Sequence, residues 1–196
     1  MTLFEYDSEI RKLRPIIVGA DEAGRGPLAG DVYAAAVILP PDLIIDGVND
    51  SKKLTEKKRE QLFDEIISKA EAYCIATATV AEIEEINILN AAMLAMKRAI
   101  EGLGKAYDIA LIDGNKTPDI PNAQAVVKGD ATSQTIAAAS ILAKVARDRY
   151  MCELDKKYPE YQFSKHKGYG TKLHYDMIRE YGPSPVHRMS FLKKMH

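Results

Sequence analysis

The chain has 196 residues, 46% apolar and 28% charged, ordinary figures for a globular protein with one core. A formal net charge of -1 argues nothing by itself for a nucleic-acid partner, and no apolar run is long enough to span a bilayer. Residues 1–7 lack the basic region and apolar stretch of a secretory signal, so the expected location is the cytoplasm.

Residues 16–21 form a short apolar β-type run that ends at Asp21-Glu22 and breaks into Gly24-Arg25-Gly26-Pro27. Residues 31–39 read as a second strand, stopped by Pro40-Pro41. Thr55 is a good helix N-cap with Glu56 in the first turn, and Leu62, Phe63, Ile66, Ile67 and Ala70 recur at helical spacing. Residues 72–79 predict a third strand. Residues 80–103 predict one long amphipathic helix, with Ile83, Ile86, Leu89, Met93, Met96 and Ile100 near one face and its methionines as core filler. Strands follow over 107–113 and 125–127, the latter leading into Lys128-Gly129-Asp130. A helix spans 133–156, and a shorter one lies near 171–181. No repeat or linker divides the chain, so one domain over 1–196 is expected, with a mixed α/β sheet and helices on both faces. Cys74 and Cys152 show no metal-ligand spacing. Cys74, in an apolar run, reads as a buried free thiol.

Charge is unevenly spread. Residues 142–196 carry 12 Lys or Arg against 6 Asp or Glu, leaving 15 against 22 in the rest. A basic helical C-terminal lobe on an acidic body suits a polyanionic partner, and equally a solvated helical surface.

Carboxylates stand where apolar strands stop. Asp21 and Glu22 close the first strand, Asp113 closes the fourth, and Asp130 follows the fifth. Strand ends in an α/β sheet form the rigid rim where ligands bind. Strand alternation points Asp21 and Glu22 to opposite sides, so only one aims straight into a site, while the other can reach a second metal position. Such acids repel one another unless a cation relieves them, and an all-oxygen set without His or Cys favours Mg²⁺ or Mn²⁺ over Zn²⁺. Each acid alone could equally be a helix cap or half of a salt bridge. Gly24-Arg25-Gly26 lets backbone approach a ligand closely, or is a plain loop. Asp50-Ser51-Lys52-Lys53 offers hydroxyl and ammonium groups, or merely precedes a helix. Lys165-His166-Lys167-Gly168-Tyr169-Gly170 interleaves bases with an aromatic, as a backbone-tracking contact would. Tyr169 as packing is the alternative there. His166, His174, His187 and His196 all fall in the basic lobe and are expected at the surface or on phosphates. The Arg-Asp-Arg run around Asp148 reads as an ion-pair network.

Taken in order, Asp21-Glu22-Ala23-Gly24-Arg25-Gly26, Asn49-Asp50-Ser51-Lys52-Lys53-Leu54, Leu111-Ile112-Asp113-Gly114, Lys128-Gly129-Asp130, the helical block from Ala138 to Arg149 and His166-Lys167-Gly168-Tyr169 resemble bacterial ribonuclease HII, of the type 2 ribonuclease H family. The resemblance spans residues 16–191. It implies a ribonuclease H-like mixed sheet flanked by helices. It implies an endoribonuclease that hydrolyses the RNA strand of RNA–DNA hybrids and cuts 5′ of ribonucleotides embedded in duplex DNA. The chemistry implied is two-metal catalysis with Mg²⁺ or Mn²⁺, giving 3′-hydroxyl and 5′-phosphate ends, in the service of removing misincorporated ribonucleotides and RNA primers. By resemblance Asp21, Glu22, Asp113 and Asp130 hold the metals, Gly24, Arg25 and Gly26 read the ribose 2′-hydroxyl, and Tyr169 packs on the sugar at an RNA-to-DNA junction. Lys52 and Lys144 match positions associated with substrate binding. The implied protein is a cytoplasmic monomer with no membrane contact.

Many relatives continue past the final Ser-Phe block, and the related type 3 enzymes carry an added N-terminal domain. The expectation is that neither addition belongs to this chain. Two other functions fit parts of the pattern. A non-cleaving hybrid-binding module fits the basic lobe but not the clustered acids, which repel phosphates. A metal-dependent phosphatase for a small substrate fits the acids but needs neither the lobe nor Tyr169.

Overall fold

Five apolar, β-branched or alanine-rich segments pair into one sheet. In the computed structural model, which describes residues 1–48 and 53–193, they are β1 (Ile17–Ala23), β2 (Val32–Ile38), β3 (Ala72–Ala78), β4 (Ile109–Asp113) and β5 (Ala123–Val126). The order across the sheet is β3-β2-β1-β4-β5. The first three strands run antiparallel, and β1, β4 and β5 run parallel. The antiparallel β1 and β2 are joined by the loop over 24–31, and the parallel β4 and β5 by the stretch 114–122, which contains no helix.

Helices cover both faces, as expected. On one side lies α3 (Val80–Gly102), whose Ile83, Ala92, Met96 and Ile100 bury against Val18, Ala20, Ala34 and Ile112. On the other lie α2 (Glu56–Lys69) and α4 (Gln134–Lys157). Leu62 and Ile66 of the former join Ala137, Ala138, Ile141 and Leu142 of the latter over Ala35 and Val37. The first helix, α1 (Leu3–Arg11), braces the start of α4: the buried Asp7 accepts from the backbone N–H of Thr135 at 2.9 Å and its hydroxyl at 2.7 Å. Thr55 caps α2 by accepting from the Lys58 N–H, as its sequence position predicts.

One expectation needs correction. The long helix over 80–103 is broken at Asn87, which adopts φ 69° and whose side chain accepts from the Asn90 N–H at 3.0 Å. Asparagine tolerates this left-handed backbone and recaps the next segment. The break changes the face presented downstream, so that Ile88 packs on the core and Leu89 does not join it among the described residues. The fourth strand starts at Ile109 and not at residue 107, because Tyr107 turns its hydroxyl to the carbonyl of Pro121.

The basic C-terminal part packs on the end of α4 through the short α5 (Phe163–His166) and α6 (Lys172–Tyr181). Met151, Leu154, Phe163 and Ile178 form its small core with Leu28 and Ala29. Cys74 and Cys152 are free thiols, each half-buried, and burial pushes the Cys74 thiol up. Among the described residues no helix is long and apolar enough to cross a membrane.

Candidate active site

The parallel pairing of β1 with β4 places the acids. Ala20 sits opposite Ile112, so the next residues, Asp21 and Asp113, emerge side by side at the carboxyl ends of two adjacent strands. Beyond β5, Lys128 takes a left-handed conformation and the chain doubles back. The backbone N–H of Asp130 then donates to Asp113 Oδ1 at 3.2 Å. Asp130 is itself buried. Behind Asp21, α4 crosses β1 closely enough that a Cβ on Gly19 would lie 2.3 Å from the carbonyl carbon of Thr135. That approach brings the Ser140 side chain to hydrogen-bond Asp21.

A cleft of about 350 Å³ is lined by Asp21, Glu22, Ala23, Asp113, Ser140, Lys144, Tyr169 and the Gly24-Arg25-Gly26 turn, while Asp130 lies behind Asp113 and outside that lining. Both neighbours Asp21 and Glu22 reach it. The strand ends at Ala23, so the cleft opens across the rim of the sheet and collects side chains from both faces. Asp21 is 5% exposed. Burial, then the nearby charges of Glu22 and Asp113, hold its carboxyl well above the usual carboxylate range, against the pull of the Ser140 hydrogen bond. Burial also raises Glu22, and Arg25 opposes that through an ion pair at 3.4 Å.

The oxygen set fits a hard divalent cation, since a positive ion would offset both the burial and the repulsion that raise the Asp21 carboxyl. Among the described residues no three Asp, Glu, His or Cys side chains converge as a ready-made cage.

Opposite the acids, Tyr169 is 42% exposed, and a Cβ on Gly26 would lie 3.7 Å from its Cε1. Lys144 Nζ lies 5.9 Å from the ring centroid and is held by Asp148 Oδ1 at 2.7 Å. Asp148 is in an ion-pair network as expected, but its partners are Lys144 and Arg59, not the flanking arginines, since Arg149 pairs with Glu60 and Arg147 bonds backbone carbonyls. Arg25 is half-exposed at the mouth. Lys52 lies outside the described residues.

Two features escaped sequence reasoning. Ser140 is four residues before Lys144, one helical turn away on the same face of α4, and that spacing was the available signal. Arg147 and Arg188, both almost wholly buried behind the Gly24-Arg25-Gly26 turn, had no local signature. The histidines also correct an expectation: His166, His174 and His187 are buried, not at the surface. His166 stacks on His174 at 4.1 Å between centroids, and His174 Nε2 meets His187 Nε2 at 3.0 Å. The rings are stored as neutral hydrogen-bonding groups in the small C-terminal core, where basic surroundings do not reveal them.

A family model for ribonuclease HII matches residues 18–194. The chain belongs to the ribonuclease HII family. The ribonuclease HII of Caldicellulosiruptor bescii is 58% identical over 180 residues, covering 91% of this chain and 87% of that one. That of Aliivibrio fischeri is 58% identical over 189 residues, covering 96% and 89%. Among solved structures, the ribonuclease H2 of Pyrococcus horikoshii superposes with a TM-score of 0.75 at 27% identity, covering 92% of this chain and 96% of that one. The sheet and flanking helices are thus a ribonuclease H fold, and the activity is that of a ribonuclease H, a hydrolase that cleaves RNA in RNA–DNA hybrids. Enzymes of this family depend on a divalent metal ion.

Proposed function

We propose that this ribonuclease HII cuts on the 5′ side of a ribonucleotide, in a hybrid or embedded in duplex DNA, and leaves 3′-hydroxyl and 5′-phosphate ends. The observation that carries the reading is that Asp21, Glu22 and Asp113 line one cleft with the Gly24-Arg25-Gly26 turn. Asp21, Glu22, Asp113 and Asp130 would hold two divalent ions, Mg²⁺ or Mn²⁺. When bound, the ions supply an activated water and charge neutralisation for an in-line displacement at phosphorus. Ser140 holds Asp21 in place, and the Asp130 backbone N–H orients Asp113. Arg25 exchanges Glu22 for a substrate phosphate, and Lys144, steadied by Asp148, adds positive charge beside it. The backbone N–H groups of the glycine turn donate to the 2′-hydroxyl oxygen, which is what separates RNA from DNA. Tyr169 offers its exposed face to the neighbouring sugar. No described histidine lines the cleft: His166, His174 and His187 are engaged with one another and with backbone in the C-terminal core, so among the described residues the cleft offers no imidazole base for attack by the 2′-hydroxyl.

The same reading makes residues 1–196 one catalytic domain with a basic lobe from about residue 142, acting as a cytoplasmic monomer. Its role would be to remove misincorporated ribonucleotides and RNA primers. The test is cleavage of a DNA duplex holding one ribonucleotide, with both ends mapped. The expected products are a 3′-hydroxyl and a ribonucleotide bearing a 5′-phosphate, with activity lost in chelator and restored by Mg²⁺ or Mn²⁺. Cyclic phosphate ends, or full activity in chelator, would refute it.

A further inference from the structure

Behind the glycine turn lies an arrangement that neither the acids nor the tyrosine requires. The Arg188 guanidinium is fully buried and donates to four backbone carbonyls of one loop. These are Gly24 at 2.7 Å, Arg25 at 3.1 Å, Pro27 at 2.9 Å and Gly30 at 2.8 Å. Its own backbone N–H donates to the carbonyl of Leu28 at 2.8 Å. Arg147, equally buried, donates to Ala29 at 3.0 Å, to Asp31 at 3.2 Å and, across to the turn that carries Tyr169, to Lys167 at 2.9 Å. Gly24 has φ 97° and lies flat on Arg147: a Cβ there would be 2.0 Å from Arg147 Nε.

Burying a guanidinium is costly, and in most proteins a carboxylate offsets the cost. Here neither arginine forms an ion pair among the described residues. Carbonyl dipoles offset most of it, with the Asp31 carboxylate acting on both guanidinium groups from beyond ion-pair distance, and only the planar five-donor fork of arginine reaches so many carbonyls at once. Further along the loop the N–H groups of Leu28 and Gly30 are taken by the carbonyls of Gly168 and Val186. The N–H groups of Gly24, Arg25 and Gly26 bond to nothing among the described residues, and all three residues line the cleft. Successive amides facing one concavity make a receptor for an oxygen acceptor.

We propose that Arg188 is a positioning residue for ribose recognition: by holding four carbonyls of residues 24–30 it aims the amides of Gly24, Arg25 and Gly26 at the substrate's 2′-hydroxyl. Arg147 locks that loop to the Tyr169 turn, so the groups that recognise the hydroxyl and the sugar move as one unit. The inference rests on the reading of the glycine turn given above.

The test compares the wild-type protein with Arg188→Lys, which keeps the charge but cannot span four carbonyls, and with Arg188→Ala with and without added methylguanidinium. Two quantities are read: the amide resonances of Gly24, Arg25 and Gly26, and the affinity ratio, in chelator, for a DNA duplex with one ribonucleotide over the same duplex without it. Arg188→Lys is expected to shift those amides and to lower the ratio about tenfold, the scale of one or two lost hydrogen bonds. Affinity for the all-DNA duplex should stay within about twofold of wild type, because phosphate contacts carry no ribose information. Methylguanidinium should restore the ratio in Arg188→Ala. A folded Arg188→Lys with unmoved amides and a wild-type ratio overturns the inference, and so does failure of both variants to fold, which would make Arg188 a folding residue. A wild-type protein that shows no preference for the ribonucleotide refutes the reading of the turn. In that case the amide shifts alone still decide whether Arg188 shapes it.

Discussion

At Asp21 three influences oppose ionisation together: burial, Glu22 and Asp113. A residue kept in that state weakens the fold in the absence of a cation and gains its worth when one binds. Asp21→Asn, Glu22→Gln, Asp113→Asn and Asp130→Asn should therefore each lower turnover by at least about 10²-fold, since small losses of geometry are expensive at such a centre. Asp21→Asn should also melt no lower than wild type without metal, and added Mg²⁺ should raise its melting temperature less. Turnover and melting curves with and without Mg²⁺ check both halves; near-normal turnover in Asp21→Asn and Asp113→Asn would sink the assignment. The acids and the glycine turn were legible in the sequence because each sits in a short block whose chemistry is visible locally. Arg188 was not, because its bond to Gly24 spans 164 residues and leaves no local trace. The histidines misled for a related reason: a basic neighbourhood along the chain says nothing about a neutral cluster formed in space.

Elements were legible where periodicity and caps agree. Thr55 before α2 is such a case, and so is the apolar stretch of α4, whose start is capped by Ser133 accepting from the Ile136 N–H. The break at Asn87 was not, because a single residue in a left-handed conformation interrupts the helix without interrupting its hydrophobic pattern. The crossing of α4 over β1 depends on Gly19, where backbone meets backbone with no room for a methyl group. Gly19→Ala must push α4 away from the sheet or bend β1, at a cost of about 1–3 kcal/mol by the usual scale of overpacking. Because α4 carries both Ser140 and Lys144 into the cleft, the same shift should lower activity beyond what stability explains. Chemical denaturation gives the first quantity, and turnover measured well below the melting temperature gives the second. A variant as stable as wild type would show that the contact can relax freely.

Across the whole molecule, the sequence shows an acidic body and a basic lobe, and the structure adds that the lobe is held together internally through uncharged imidazoles. The Ser184 N–H donates to His187 Nδ1 at 2.9 Å, so that nitrogen accepts. His187 Nε2–H then donates to His174 Nε2, leaving His174 Nδ1–H to donate to the carbonyl of Tyr169 at 2.9 Å. An added proton on either ring would set two N–H groups face to face. Burial, the main cause, pushes both rings down to about 4. In the unfolded chain they titrate near the ordinary value of about 6.5. The folded state thus refuses protons that the unfolded state accepts, so this contribution is fully present above about 6.5 and is lost as pH falls towards 4. Its size is on the order of 3 kcal/mol per excluded proton. Asp7, Asp21 and Glu22 work the other way, because their raised carboxyls favour the folded state at low pH and lose that advantage as pH rises. The two effects partly cancel in a plain pH titration of stability. A His174→Asn variant separates them, because the carboxyls are common to both proteins. The stability difference between wild type and His174→Asn, measured by denaturation from pH 7.5 down to 4.5, is expected to shrink steadily below pH 6.5. A difference that stays constant across that range would show that the rings accept protons in the folded state as readily as in the unfolded one, and that the lobe is held by something other than their neutrality.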